Sequence, residues 1–359
     1  MIIDMKNILE KENSNILRGV AILSIMLHNF FHYGFRFASE NEMSYSQGKA
    51  DTFLRSIASP SLNLIGDFFS FLGWVGVPVF VFLTGFGLFT KYHSHKSIET
   101  SAYLKHCYLK LFFLLLPAVL FFVVFSVWKN NWVAVGKELL TLTMLQNLDY
   151  PQLSMSPEVY WYFSLTFQYY IVFLLFRKYF MPLILVLLSV ISLLFLGFLG
   201  QSDYVNTMSI YRHCLTGWFP VFALGVWCAG NNGITQISHN CILKDIILFI
   251  ILFILTVAMN LNYYAWLFIP IISLMMFIYL GKIILNVPYI AKLFKWLGSN
   301  SAFIFVSHPI ARATYWMLLK YINLQNLYIA IIYYIVATLI IAFIYKKYYA
   351  FVRQRVVCI

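Results

Sequence analysis

Ten apolar windows, each close to the roughly 20 residues that carry a helix across a bilayer, constrain this chain more than any other feature. They fall near 15–36, 66–90, 107–127, 158–176, 180–200, 212–230, 242–259, 264–285, 297–319 and 327–348. Backbone immersed in hydrocarbon must satisfy its own hydrogen bonds, so such windows read as helices. The composition agrees: 11% of residues are charged, against about a quarter in soluble domains. The expectation is an all-α, polytopic membrane protein of about ten transmembrane helices, forming a single domain over 1–359. The intervals 37–65 and 128–157 are rich in Ser, Asn, Asp, Glu and Pro and read as extended loops rather than soluble domains. No internal repeat, low-complexity tract or cleavable signal peptide is evident.

Charge sets the expected orientation. The 25 Lys and Arg divide 17 to 8 between the two sides of a ten-helix chain, and the richer side holds both ends. Cytoplasmic loops carry the excess of basic residues, which places segment 1–14 and tail 349–359 inside and loops 37–65 and 128–157 outside. A net charge of +12 would suggest nucleic acid in a soluble protein. In a chain this apolar it reads as cationic loops on one membrane face, with lipid and not nucleic acid as neighbour. The five cysteines are scattered and form no CxxC pair, so neither a disulfide framework nor a zinc site is indicated.

Two ionisable residues interrupt the first window: Arg18 and His28, in LRGVAILSIMLHNFF. Such residues are costly inside a membrane and are functional-site candidates by default. Ten helical residues rise about 15 Å, so the pair reaches from the cytoplasmic face toward mid-bilayer. The structural alternative is an Arg marking a helix end and a His hydrogen-bonded within a bundle. His308 enters its own window from the same face and lies at similar depth. It either lines a chamber opposite His28 or marks the kink at Pro309 with a satisfied imidazole.

Several further stretches follow in order: Gly76-Val-Pro-Val-Phe80-Val-Phe-Leu-Thr84-Gly85-Phe86; Trp161-Tyr-Phe-Ser-Leu-Thr-Phe-Gln168; Phe219-Pro-Val-Phe-Ala-Leu-Gly225; and Leu297-Gly298 through Ser307-His308-Pro309. Together with Arg18-Gly-Val-Ala21 and His28 they resemble the helix signatures of the acyltransferase-3 family over nearly the whole chain. The resemblance implies an integral membrane enzyme that moves an acyl group, usually acetyl, from cytoplasmic acyl-CoA to carbohydrate on the far side. It implies a central catalytic role for His28, and the family's first-helix arginine maps to Arg18. One departure stands out. Where relatives carry Arg-x-x-Arg at the third helix, this chain has Lys105-His106-Cys-Tyr-Leu-Lys110. Lysines neutralise phosphate as point charges without the bidentate fork of arginine.

Acyl transfer from a thioester to a hydroxyl needs a base and stabilisation of an oxyanion. His28 is the best base candidate, because neutral imidazole is cheaper than carboxylate in a membrane. A carboxylate nearby would support it, and Glu158 and Asp67 are the candidates; Glu158 opens an aromatic window at the outer face. Its alternative role is that of a helix N-terminal acid. Tyr211 and Arg212, with His213 beside them, either bind acidic sugar or polarise the oxyanion, or else anchor a helix at the interface. Trp161, Gln168 and the aromatic residues around them would contact sugar or lipid. His32 shares a helix face with His28, but no third ligand is evident and no metal is expected.

The expected activity is thus O-acetylation of a bacterial surface polysaccharide or its lipid-linked precursor in the inner membrane. Arg18, Lys105 and Lys110 would meet acyl-CoA, His28 and Glu158 would carry the chemistry, and Tyr211, Arg212, Trp161, Gln168 and His308 would hold the acceptor. The alternative is a sugar or glycolipid exporter with an intramembrane His/Glu proton relay. The paired, interrupted helices of secondary transporters are not evident.

Overall fold

The computed structural model of the chain describes residues 6–35, 37–61, 63–94, 98–148, 158–179, 181–199, 205–230, 241–319 and 326–356. Every regular element among them is helical. In chain order the main helices are α1 (Ser14–Asn29), α2 (Gln47–Ala58), α3 (Leu64–Leu72), α4 (Val77–Tyr92), α5 (Thr100–Trp128), α6 (Trp132–Thr141), α7 (Trp161–Phe176) and α8 (Pro182–Leu199). There follow α9 (Val205–His213), α10 (Leu215–Gly230), α11 (Ile242–Met259), α12 (Ile269–Leu285), α13 (Pro288–Ser299), α14 (Ser301–Leu319) and α15 (Leu327–Val356).

Each of the ten windows contains helix, and seven helical stretches among the described residues are long and apolar enough to cross a membrane. The shortfall has physical causes. α7 has 16 residues and α12 has 17, fewer than a perpendicular crossing of about 20. α14 has 19 residues but carries Ser307, His308, Arg312 and Thr314. The two intervals read as extended loops are also partly helical. α2 forms inside 37–65 because Ala50 and Phe53 share a buried face, and Phe53 stacks on Phe71 at 4.3 Å. α6 forms inside 128–157, its first turn capped by the Asn131 side chain accepting from the Ala134 N–H.

The chain divides into two compact units, Met1–Ser94 with Leu175–Ser301 and His95–Leu174 with Ala302–Ile359. In the first, α1 packs against α13 and α4 against α10. Glycines permit both approaches. A Cβ at Gly298 would lie 1.8 Å from the Asn15 carbonyl oxygen, and one at Gly19 would lie 2.1 Å from that of Phe294. At the other crossing, a Cβ at Gly225 would meet the Phe82 oxygen at 2.1 Å and one at Gly85 the Phe222 oxygen at 2.4 Å. Close backbone approach at small residues is how membrane helices gain packing energy without a hydrophobic drive. The apolar helices α11 and α12 are tied by an ion pair, Asp245 Oδ1 to Lys282 Nζ at 3.6 Å.

The second unit contains α5, α6, α7, α14 and α15, except that Leu175 and Phe176 at the end of α7 and Ser301 at the start of α14 belong to the other unit. Tyrosine hydroxyls bind its helices to one another. The buried Tyr160 donates to the Val306 carbonyl at 2.8 Å, and Tyr108 donates to that of Leu142 at 3.1 Å. In an apolar interior such hydroxyls are held where a partner is within reach.

Candidate active site

His28 lies in the last turn of α1, and the helix then widens into a five-residue π turn, Phe30–Gly34, that carries His32. Such turns recur at functional sites. Here the two imidazoles stack with centroids 5.2 Å apart and planes 10° from parallel. His28 is buried, and its Nδ1 lies 3.3 Å from the Phe69 carbonyl oxygen. A carbonyl can only accept, so Nδ1 carries the hydrogen in the neutral ring and Nε2 presents the basic lone pair. That Nε2 has no hydrogen-bond partner among the described residues. The carboxylate oxygen Glu42 Oε2 stands 3.9 Å away, close enough to stabilise an imidazolium.

The segment Ala38–Glu42 brings two carboxylates over the histidines. Asp67 holds its start by accepting from the Ala38 N–H at 3.0 Å, so this residue orders backbone and does not partner His28. Glu40 Oε1 lies 3.8 Å from His32 Nε2, while Ser70 accepts from or donates to His32 Nδ1 at 3.2 Å and donates to the Ala38 carbonyl at 2.6 Å. Because that hydroxyl hydrogen is used, Ser70 is an acceptor toward His32 Nδ1–H, which fixes the tautomer of the second ring as the Phe69 carbonyl fixes that of the first. The Glu42 N–H donates to a Glu40 carboxylate oxygen, folding the two acids back on one another. Asn41 is held from a distant part of the chain: its carbonyl accepts from Trp266 Nε1 at 2.6 Å, and its side chain meets Asn260 at 3.4 Å.

Glu40 lies outside the membrane-spanning segments. Burial raises its pKa, but Lys49 and the two histidines outweigh burial and hold it below the usual 4.5. An unfolded chain therefore binds this proton first as pH falls, so the stabilisation is complete above about 4.5 and is lost below it. The stability advantage of the unaltered protein over Glu40→Gln is expected to shrink as pH drops from about 6 to below 4.5. Thermal unfolding across that range checks it; a gap that ignores pH counts against it.

Arg212, at the end of α9, is fully buried. Its Nε donates to the Glu42 carbonyl at 3.1 Å and its Nη1 to that of Gly217 at 3.2 Å. Its Cζ lies over three indoles, 4.6 Å from the Trp218 ring centre, 4.7 Å from Trp266 and 6.0 Å from Trp74. His213 is also buried, with Nδ1 donating to the Ser209 carbonyl at 2.6 Å. The structure thus joins two sequence-predicted residues, His28 and Arg212, through a third that the sequence reading passed over, Glu42.

The other candidates make different contacts within the first unit or belong to the second. Arg18, half-buried near the start of α1, donates from Nη1 to Asn15 Oδ1 at 3.0 Å. Tyr211 packs edge-on against Phe195 at 4.7 Å. In the second unit Lys105 and Lys110 are exposed on α5. Trp161 is buried at the start of α7, and Gln168 donates to Asn147 Oδ1 at 3.2 Å. His308 is buried, with Nδ1 3.3 Å from the Ile304 carbonyl one turn back. Glu158 opens a short 3-10 turn, and its side chain lies outside the described residues. Among the described residues no group of three or more His, Cys, Asp or Glu side chains could hold a metal ion.

A buried imidazole with a fixed tautomer, facing a carboxylate at the end of an apolar helix, can accept and return a proton within a membrane protein. The sequence profile of the acyltransferase-3 family, described as an acyltransferase domain, matches residues 12–346. The chain belongs to that family and is a multi-pass membrane acyltransferase. No curated protein and no solved structure matches it.

Proposed function

We propose that this acyltransferase moves an acetyl group from cytoplasmic acetyl-CoA to a hydroxyl of a cell-surface polysaccharide or lipid-linked sugar. The observation that carries the reading is His28: its Nδ1–H is committed to Phe69, and its Nε2 faces Glu42 without a hydrogen-bond partner among the described residues. The hydroxyl oxygen attacks the thioester carbonyl carbon while Nε2 takes its proton. Glu42 steadies the resulting imidazolium. Collapse of the tetrahedral intermediate expels the CoA thiolate, which recovers the proton from His28, leaving ester and free thiol.

The 17-to-8 division of basic residues supports a bacterial inner-membrane protein with both termini in the cytoplasm. Arg18, near the start of α1, would then meet the donor's phosphates from that side, with Lys105 and Lys110 as further point charges. Glu158 remains a candidate second carboxylate, and Tyr211, Trp161, Gln168 and His308 candidates for contact with the acceptor.

The test uses purified protein in nanodiscs, radiolabelled acetyl-CoA and carbohydrate extracted from the native envelope. Label entering carbohydrate supports the reading; none entering it overturns it and favours an exporter. Arg18→Gln is expected to raise the KM for acetyl-CoA about tenfold, the loss of a charge-assisted hydrogen bond, with kcat little changed. An unaltered KM would make Arg18 a helix-end anchor only.

A further inference from the structure

Three nitrogen atoms of the His28 cluster are buried without a hydrogen-bond partner among the described residues: His28 Nε2, Arg212 Nη2 and Trp74 Nε1. Buried polar atoms of this kind are few in folded proteins, and each carries an uncompensated desolvation penalty. They do not follow from an absence of alternatives. The neighbouring indoles are both engaged, Trp218 donating to the Arg212 carbonyl and Trp266 to that of Asn41, each at 2.6 Å. The other two guanidinium nitrogens of Arg212 are engaged as well.

The residues that carry these atoms are neighbours. Arg212 holds the backbone of Glu42, whose carboxylate faces His28. Trp74 follows Gly73, where a Cβ would stand 2.4 Å from His28 Cβ, so the 3-10 turn Gly73–Gly76 rests directly on the base. The Trp74 ring then lies 6.0 Å from the guanidinium carbon. One proton acceptor and two donors are therefore carried by adjoining residues in a water-poor setting. Addition of a hydroxyl to a carbonyl needs that set: the acceptor takes the proton while the donors meet the charge developing on oxygen.

We propose that Arg212 Nη2–H and Trp74 Nε1–H donate to the acyl carbonyl oxygen of the thioester and hold the oxyanion of the tetrahedral intermediate. The proposal rests on the acyl-transfer reading above. As the hydroxyl oxygen bonds to the carbonyl carbon, the carbonyl π electrons move onto oxygen, where these donors receive them. When the carbon–sulfur bond breaks, that pair restores the carbonyl and the donors relax to a neutral oxygen.

Trp74→Phe keeps the ring and removes only the N–H; Arg212→Lys keeps the cation and removes the fork. Both variants are assayed in nanodiscs with labelled acetyl-CoA and the same carbohydrate extract, after thermal melting has shown which of them fold. Each folded variant is expected to lose about 10²-fold in kcat, the cost of one oxyanion donor, with the KM for acetyl-CoA within about twofold of the original. A folded variant that keeps its kcat within about threefold overturns the proposal. So does a loss confined to KM, which would mean ground-state packing. Transfer by the unaltered protein with undiminished variants overturns this inference alone. No transfer by the unaltered protein removes the parent reading and this one with it.

Discussion

Replacing His28 with Gln is expected to lower acetyl transfer by about 10²–10⁴-fold while leaving the protein folded. The magnitude is that of a lost general base. Gln keeps a polar side chain at a buried site and can still donate to the Phe69 carbonyl that now accepts from Nδ1. What it lacks is a basic lone pair opposite Glu42. Its nearest substitute, His32, is occupied on its Nδ1 side by Ser70 and faces Glu40 rather than Glu42. Turnover of purified His28→Gln with labelled acetyl-CoA and saturating envelope carbohydrate, beside a melting curve, decides the matter. A folded variant within a few-fold of normal turnover would remove His28 from the chemistry.

The second large effect is on stability and lies at the other end of α1. Gly298→Ala would set a Cβ 1.8 Å from the Asn15 oxygen and 2.7 Å from its carbon, both backbone atoms that no rotamer change can move. α13 must then shift off α1. Overpacking of this kind costs about 1–3 kcal/mol, occasionally more, and it falls beside Arg18. Gly87→Ala on α4 is the internal control, since a Cβ there meets nothing within 4 Å. Alanine should be neutral or favourable at that exposed position, by up to about 1 kcal/mol of helix propensity. Melting in the same detergent should separate the two alanines clearly. Equal melting temperatures would mean that the α1–α13 contact is soft.

The helices were legible because hydrocarbon demands long apolar runs, and His28 because a titratable side chain in such a run is conspicuous. Arg212 was visible as a basic residue beside a window, though its enclosure by three indoles was not. Glu40 and Glu42 were hidden for a different reason. They occur in Ser39-Glu40-Asn41-Glu42, whose composition reads as solvated loop. Their return to the histidines depends on contacts remote in sequence, such as Asn41 with Asn260 and Trp266. No periodicity records a contact of that separation. One local signal was available: two acids placed two residues apart, just beyond a span that carries two histidines. α2 left a trace as well, in the spacing of Ala50, Phe53 and Ile57 within an otherwise polar stretch.

The π turn at Phe30–Gly34 gives this site an unusual sensitivity to chain length. Each residue of an α-helix advances the backbone by about 100°, and a π turn absorbs one residue more than the α geometry around it. Removing a single residue there would restore a plain helix and swing everything downstream through about a quarter-circle. Ala38, Glu40 and Glu42 would leave the histidine face together, although no residue of the site had been altered. Between His28 and its carboxylate, geometry is thus written in counted residues.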